Sequence, residues 1–234
     1  PSGQVVSAFP SYPSQSADVS YGRVAGNSQV VGYFPKPTPG ARNSSSGPGF
    51  APAVDFSESS QTFRGTLTLS LASSDPNAVI RYTTNHLEPD SQSALYNGPL
   101  ALTGSVEIRA RAFLPNLLPG PVHSETFMPL ADDVVEFTSD LPVLLLNDFN
   151  AGRPGQGVAT LAHLQVYAPG TNLFSSTPLL TTRATIAARG SSTAGEAKVS
   201  MKLELQDEFG DDRSEGMLGM PKDSDWILYG IDEF

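Results

Sequence analysis

Apolar residues in this chain recur at every second position in short runs. No window keeps the i, i+3, i+4, i+7 spacing of an amphipathic helix over three turns. In Lys198–Leu205, Lys198, Ser200, Lys202 and Glu204 fall on one side of an extended chain, and Val199, Met201, Leu203 and Leu205 on the other. Comparable runs at Thr66–Leu71, Val79–Thr84 and Val106–Phe113 are separated by Gly-, Pro- and Asp-containing turns at 73–77, 88–93 and 97–99. The chain holds 21 Gly and 20 Pro with only 16% charged residues, which favours many short strands over long helices.

The C-terminal part continues this pattern. Asp132–Phe137 and Leu141–Leu146 read as extended, and the second is apolar on both faces, which predicts a central strand. The glycines of 147–157 are followed by neither Gly-Lys-Ser/Thr nor a helix, so this is an ordinary loop rather than a phosphate loop. Leu164–Tyr167 and Thr182–Ala188 supply further strands, with Leu173 and Phe174 between them as candidate caps of a sheet. From Arg189 to Gly230 the order is a small-residue turn, the alternating strand, an acidic turn at 207–212, Met217–Pro221 and Asp225–Tyr229, which predicts a β-hairpin with an apolar seam.

Charge and composition narrow the function classes. A net charge of −10 disfavours nucleic acid and anionic membrane as partners. No apolar run approaches the roughly 18 residues a membrane-spanning helix needs. The absence of Cys removes disulfides and thiolate chemistry. His86, His123 and His163 form no i, i+4 pair and suggest no metal site, and Asp207, Asp211 and Asp212 lack calcium-loop spacing. Arg81, Arg109 and Arg111 are expected at exposed strand positions, and Tyr82, Tyr96 and Phe113 as buried aromatics rather than a sugar-stacking platform. Asn43-Ser44-Ser45 fits the N-glycosylation pattern, a weak signal. Pro1 and the lack of a leader-like segment suggest an internal piece of a longer precursor.

Three resemblances organise the chain. Arg189-Gly-Ser-Ser192, Lys198, the alternating strand, the acidic turn, Leu218-Gly-Met-Pro221 and Ser224-Asp-Trp226 together resemble the N-terminal part of the spore-coat-protein-H (CotH) kinase family. Ala78–Asn85, Glu88–Leu100, Val106–Phe113 and Gly120–Phe127 resemble the chitobiase C-terminal-like, fibronectin-III-associated module. Asp18–Arg23, Val31–Phe34 and Pro37–Asn43 resemble the end of a lamin-tail sandwich, with Tyr21, Tyr33 and Phe34 in or beside its core.

The fold class these imply is mainly β, with tandem immunoglobulin-like antiparallel sandwiches followed by a β-rich subdomain like a kinase N-lobe. The implied boundaries are 1–43 for the lamin-tail end, 44–50 for a linker, 51–130 for the immunoglobulin-like module and 131–234 for the CotH-like part. The CotH resemblance makes Arg189, Gly190, Ser191, Ser192 and Lys198 candidate contacts to nucleotide phosphates, because backbone N–H groups of such a turn and a nearby Lys can neutralise phosphate charge. The family's metal-binding carboxylates and catalytic loop lie C-terminal to this region, so no catalytic or metal residue is assigned, no cofactor is expected in this chain, and ATP with Mg belongs to the parent protein. The expected role is a structural or spacer fragment of a large secreted or cell-surface bacterial protein, assembling with protein partners or itself through incomplete sandwich edges. The alternatives are the N-terminal part of an active CotH-type kinase and a carbohydrate-binding module.

Overall fold

Strand β1 (Ser20–Val24) turns at Gly26, whose φ of +84° suits glycine, into β2 (Asn27–Phe34). This computed structural model describes residues 5, 8–9, 11–13, 15, 19–36, 38–42, 47–190 and 198–230. Asn43-Ser44-Ser45 lies outside the described residues. The hairpin is joined to the central module through Tyr33, which exchanges two backbone hydrogen bonds of 3.0 Å with Gly47 and packs its ring edge-on against Phe50. Tyr33 and Phe34 are buried, as core aromatics of this segment should be.

The central module is a two-layer sandwich. Its strands are β3 (Val54–Phe56), β4 (Gln61–Phe63), β5 (Leu67–Leu69), β6 (Leu71–Ser73), β7 (Val79–Thr83), β8 (Ala94–Leu95), β9 (Leu100–Leu102), β10 (Val106–Phe113) and β11 (His123–Pro129). One layer is a five-stranded sheet in the order β4-β11-β10-β7-β8, and the other comprises the ladders β3-β6 and β5-β9. Between them lie Val54, Leu69, Leu71, Ile80, Leu102, Ile108, Ala110, Ala112 and Phe127. The expected single strand at Thr66–Leu71 is divided at Ser70, because its two halves pair with different partners. Tyr82 and Tyr96 are half-buried against this core, and the Tyr96 hydroxyl accepts the Leu71 N–H at 3.0 Å.

The C-terminal part is an antiparallel meander in the order β12-β13-β14-β15-β16, where β12 is Val143–Asn147, β13 Thr160–Tyr167, β14 Leu180–Arg189, β15 Ser200–Gln206 and β16 Asp225–Leu228. Its apolar face carries Ala162, Leu164 and Val166, then Ala184 and Ile186, then Leu203 and Leu205, with Met217 packed over them. The predicted hairpin is formed by β15 and β16, and Leu173 and Phe174 sit in a short 3₁₀ turn, Leu173 buried. Two expectations are corrected. Asp132–Phe137 is not extended, since Asp132–Val134 forms a 3₁₀ turn with two acidic residues at its start. Leu141–Leu146 does not give a central strand: β12 is an edge, and β14 is central, its rank hidden by the polar Thr181, Arg183 and Thr185 on its second face.

Phe127 and Leu203 are fully buried in the cores of the central module and of the C-terminal sheet respectively. Phe127→Ala should cost about 3–5 kcal/mol and Leu203→Ala about 2–5 kcal/mol. Both losses should lower one common transition in denaturant unfolding followed by circular dichroism, because the two units share a buried polar boundary at Glu107 and Arg183.

Candidate functional site

The candidate phosphate contacts are spread out. Arg189 ends β14 and is exposed. Gly190 follows with φ +102°, and its carbonyl accepts the Gln156 side-chain amide at 2.9 Å. Ser191 and Ser192 lie outside the described residues. Lys198 is exposed just ahead of β15, and its carbonyl packs so closely on Gly230 that a Cβ there would collide with it. Arg189 shares a cavity of about 540 Å³ with Lys202, Asp225 and Trp226, whereas Lys198 does not line it. The Lys202 ammonium is held by Glu204 at 2.8 Å and Asp225 at 2.9 Å, and both hydrogen bonds raise its pKa.

A second site lies where the two sheets meet. Strand β10 alternates, so Ile108, Ala110 and Ala112 enter the sandwich core while Glu107, Arg109 and Arg111 point to the opposite face. The polar face of β13 and β14, carrying His163, Gln165, Thr181 and Arg183, covers part of that surface. Glu107 is 1% exposed and pairs with Arg183 through one carboxylate oxygen and with His86 at 3.0 Å through the other. Arg109 is buried, donating to the carbonyl of His86 at 2.7 Å and to that of Glu208. Burial and the neighbouring Arg183 hold its pKa down. The expectation that these arginines are exposed is thus corrected: Arg109 is a boundary residue, and Arg81 and Arg111 are half-buried, bonded to the carbonyls of Ser93 at 2.5 Å and Gly120 at 2.6 Å.

Strand β4 pairs with β11 only at Phe127–Pro129, leaving the start of β11 as a free edge. Ser60 covers it, donating its N–H to Glu125 at 2.6 Å and accepting the Thr126 N–H at 2.9 Å. His123 bonds Glu125 at 3.2 Å and the Val54 carbonyl at 2.8 Å; the Glu125 hydrogen bond leads in raising its pKa to about 9. Burial pushes the Glu125 carboxyl up, but hydrogen bonds from His123 and Ser60 outweigh it and hold the pKa down. Across the boundary His163 is 4% exposed and bonds Thr181 at 2.9 Å, and burial lowers its pKa to about 4. Burial also raises the Glu208 pKa. These groups surround a cavity of about 450 Å³ whose lining residues are all polar or charged.

The central module has a family match. Residues 58–123 match the family model of the chitobiase/beta-hexosaminidase C-terminal domain. No curated protein and no solved structure matches the chain. The matched region therefore supplies Ser60, Glu107 and His123 to the cavity lining, and the remaining lining residues lie C-terminal to it. Among the described residues no group of three or more His, Asp or Glu is placed to hold a metal ion.

Sequence reasoning missed this boundary. The signal within reach was the buried-strand context of a polar alternation: Glu107, Arg109 and Arg111 on one face of an otherwise core strand, and His163, Gln165 on another. Arg183→Met should cost about 3–5 kcal/mol because it removes the cationic partner of the buried Glu107 carboxylate, and adding Glu107→Gln should recover much of that loss in urea unfolding. The two histidines give opposite pH dependences. For His163, folded and unfolded chains are both neutral above pH 6.5, and only the unfolded chain gains a proton between there and about 4, so stability falls as pH falls through that window. For His123 the contribution is complete below pH 6.5 and is lost as pH rises through about 9. Melting temperatures measured across pH should decline at both ends, and His163→Gln should remove most of the acid-side decline.

Proposed function

We propose that this chain is a structural segment of a larger secreted or cell-surface multi-module protein of the carbohydrate-active kind, in which the chitobiase C-terminal-like module and the following sheet act as one rigid spacer. The observation that carries this reading is the buried Glu107–Arg183 pair, whose two members come from different sheets. A buried charge left without its partner costs several kcal/mol, so separating the sheets is strongly opposed. Rigid spacing sets where neighbouring modules point, which a flexible linker does not.

Assembly with other chains belongs to the same reading. Support comes from the edge strands β12 and β16 and from exposed Leu141, Leu179, Ile227 and Tyr229, which suit protein partners or a second copy. The lamin-tail-like and CotH-like assignments for the flanking parts are also proposals, supported by the aromatic hairpin β1-β2 and by the five-stranded meander. Among the described residues no helix is long and apolar enough to cross a membrane.

A second reading, nucleotide binding by a CotH-type N-terminal lobe, is favoured by the cavity that joins Arg189 to Lys202. It ranks behind the spacer reading because Glu204 and Asp225 already neutralise Lys202, which leaves little positive charge for a polyphosphate. ATP with Mg thus remains a proposal for the parent protein.

Backbone ¹⁵N relaxation tests the rigid spacer. Amides of Ile108 and Leu203 should report one shared tumbling time, and Arg183→Met should split it into two. Separate tumbling in the unaltered chain would remove the spacer role, and Mg-ATP-dependent phosphorylation by this chain would replace it with the second reading.

A further inference from the structure

Three buried polar side chains of β13 meet one of β14 on the face of the C-terminal sheet that carries Arg183. His163, Gln165 and Tyr167 are two residues apart along β13 and share that face, with Gln165 at 0% exposure. Thr181 stands directly opposite Gln165 in the antiparallel register, a relation that brings two Cβ atoms to about 4.5–5.5 Å. Two hydrogen bonds order the group: His163 Nε2 lies 2.9 Å from the Thr181 hydroxyl oxygen, and the Tyr167 hydroxyl donates to Gln165 Oε1 at 2.6 Å. The amide nitrogen of Gln165 is buried and finds no hydrogen-bond partner among the described residues. Buried amides are normally paired at both ends, so an amide held by its oxygen alone calls for an explanation.

The four side chains have the chemistry of an acyl transfer. A hydroxyl attacks a carboxamide carbon when a base takes its proton and a donor holds the oxygen on which negative charge develops. Thr181 is the hydroxyl and His163 the base: burial lowers the His163 pKa to about 4, so its imidazole is neutral at neutral pH, and with its proton on Nδ1 it accepts from Thr181 at Nε2. Tyr167 is the donor, and burial raises its pKa, so the phenol keeps its proton. Gln165 is the carboxamide, and its unpartnered nitrogen is the group that would leave.

From this geometry we propose that β13 and β14 become joined by an ester bond between Thr181 Oγ1 and Gln165 Cδ. His163 Nε2 takes the Thr181 proton as Oγ1 attacks Cδ, and the Tyr167 hydroxyl holds the oxyanion formed on Oε1. When the carbonyl re-forms, the Cδ–Nε2 bond breaks and the proton on His163 passes to the departing nitrogen. The products are the ester and one ammonia; nothing is oxidised or reduced, and no co-reactant is needed. Burial of Gln165 keeps water from competing for the acyl carbon, while Thr181 and His163 also line the boundary cavity, which gives ammonia a way out. The bond closes the segment from 165 to 181 and restrains the unfolded chain as a disulfide does, in a sequence without Cys. It lies within the C-terminal sheet and does not rest on the spacer reading.

Intact-mass spectrometry of the folded full chain, denatured only for the measurement, tests the bond. The mass should fall short of the sequence mass by one ammonia, and chymotryptic cleavage at Tyr167 and Phe174 should leave the peptides holding Gln165 and Thr181 joined. Thr181→Val keeps the side-chain shape, removes the nucleophile and should show the full mass. His163→Gln and Tyr167→Phe should slow ammonia loss by at least about tenfold, the least that a base or an oxyanion donor contributes. The full sequence mass in the unaltered chain after prolonged incubation would overturn the proposal, and so would an ammonia deficit that persists in Thr181→Val, because the loss would then lie elsewhere, as in an imide at Asn97-Gly98. Unchanged rates in both His163→Gln and Tyr167→Phe would overturn the assigned roles. The joined peptides are decisive even if a variant does not fold, and their absence from the unaltered chain ends the proposal.

Discussion

The arrangement of this protein depends on one carboxylate. Glu107 sits at 1% exposure between two sheets, and a charge so placed is tolerable only if it is neutralised and hydrogen-bonded on both oxygens. Arg183 supplies the first partner from the C-terminal sheet and His86 the second from the central module. Because the two partners come from either side of the boundary, the electrostatic demand of one residue fixes the relative placement of both units. The same demand draws in Arg109, whose guanidinium reaches the backbone of His86 and Glu208.

A polar boundary of this kind differs from the two cores it joins. The cores are apolar and tightly filled: Leu69, Phe127, Leu164, Leu203 and Leu205 are fully buried, and stabilisation there follows the area removed from water. At the boundary, burial is costly unless each donor and acceptor is matched. Most are, as in the Ser60–Glu125–His123 chain that closes the free edge of β11. A few are not, among them Arg109 Nε, His163 Nδ1, Gln165 Nε2 and Arg183 Nε. Packing across the rest is limited to contacts such as the Thr62 hydroxyl on the Phe174 carbonyl at 2.5 Å and His86 against the Phe149 ring.

Much of the fold was legible because alternation is a local property. Strand β10 runs over Val106–Phe113, as its pattern required, and β15 divides its side chains into a buried Leu203, Leu205 face and a Lys202, Glu204 face as read from spacing alone. The readings that failed were those that needed to know what lies across a face. Thr66–Leu71 looks like one strand until two ladders compete for it, and Leu141–Leu146 looks central because hydropathy cannot tell an apolar edge from an apolar middle. Arg109 reads as solvent-exposed because charge on an outward face is solvated in most sheets. Only a second sheet docked on that face makes it buried.

The sequence by itself determined the mainly β class, the positions of long strands such as β10 and β15 and the acidic balance, since each comes from residue spacing or composition. It also carried the chitobiase C-terminal-like pattern of the central module. Tertiary structure alone decided that Glu107 meets Arg183, that His123 and His163 border the same space, and that Arg189 shares a cavity with Lys202 and not Lys198. The physical reason is distance along the chain. Glu107 and Arg183 lie 76 residues apart on strands of different sheets, and no local rule couples them until two polar faces come together.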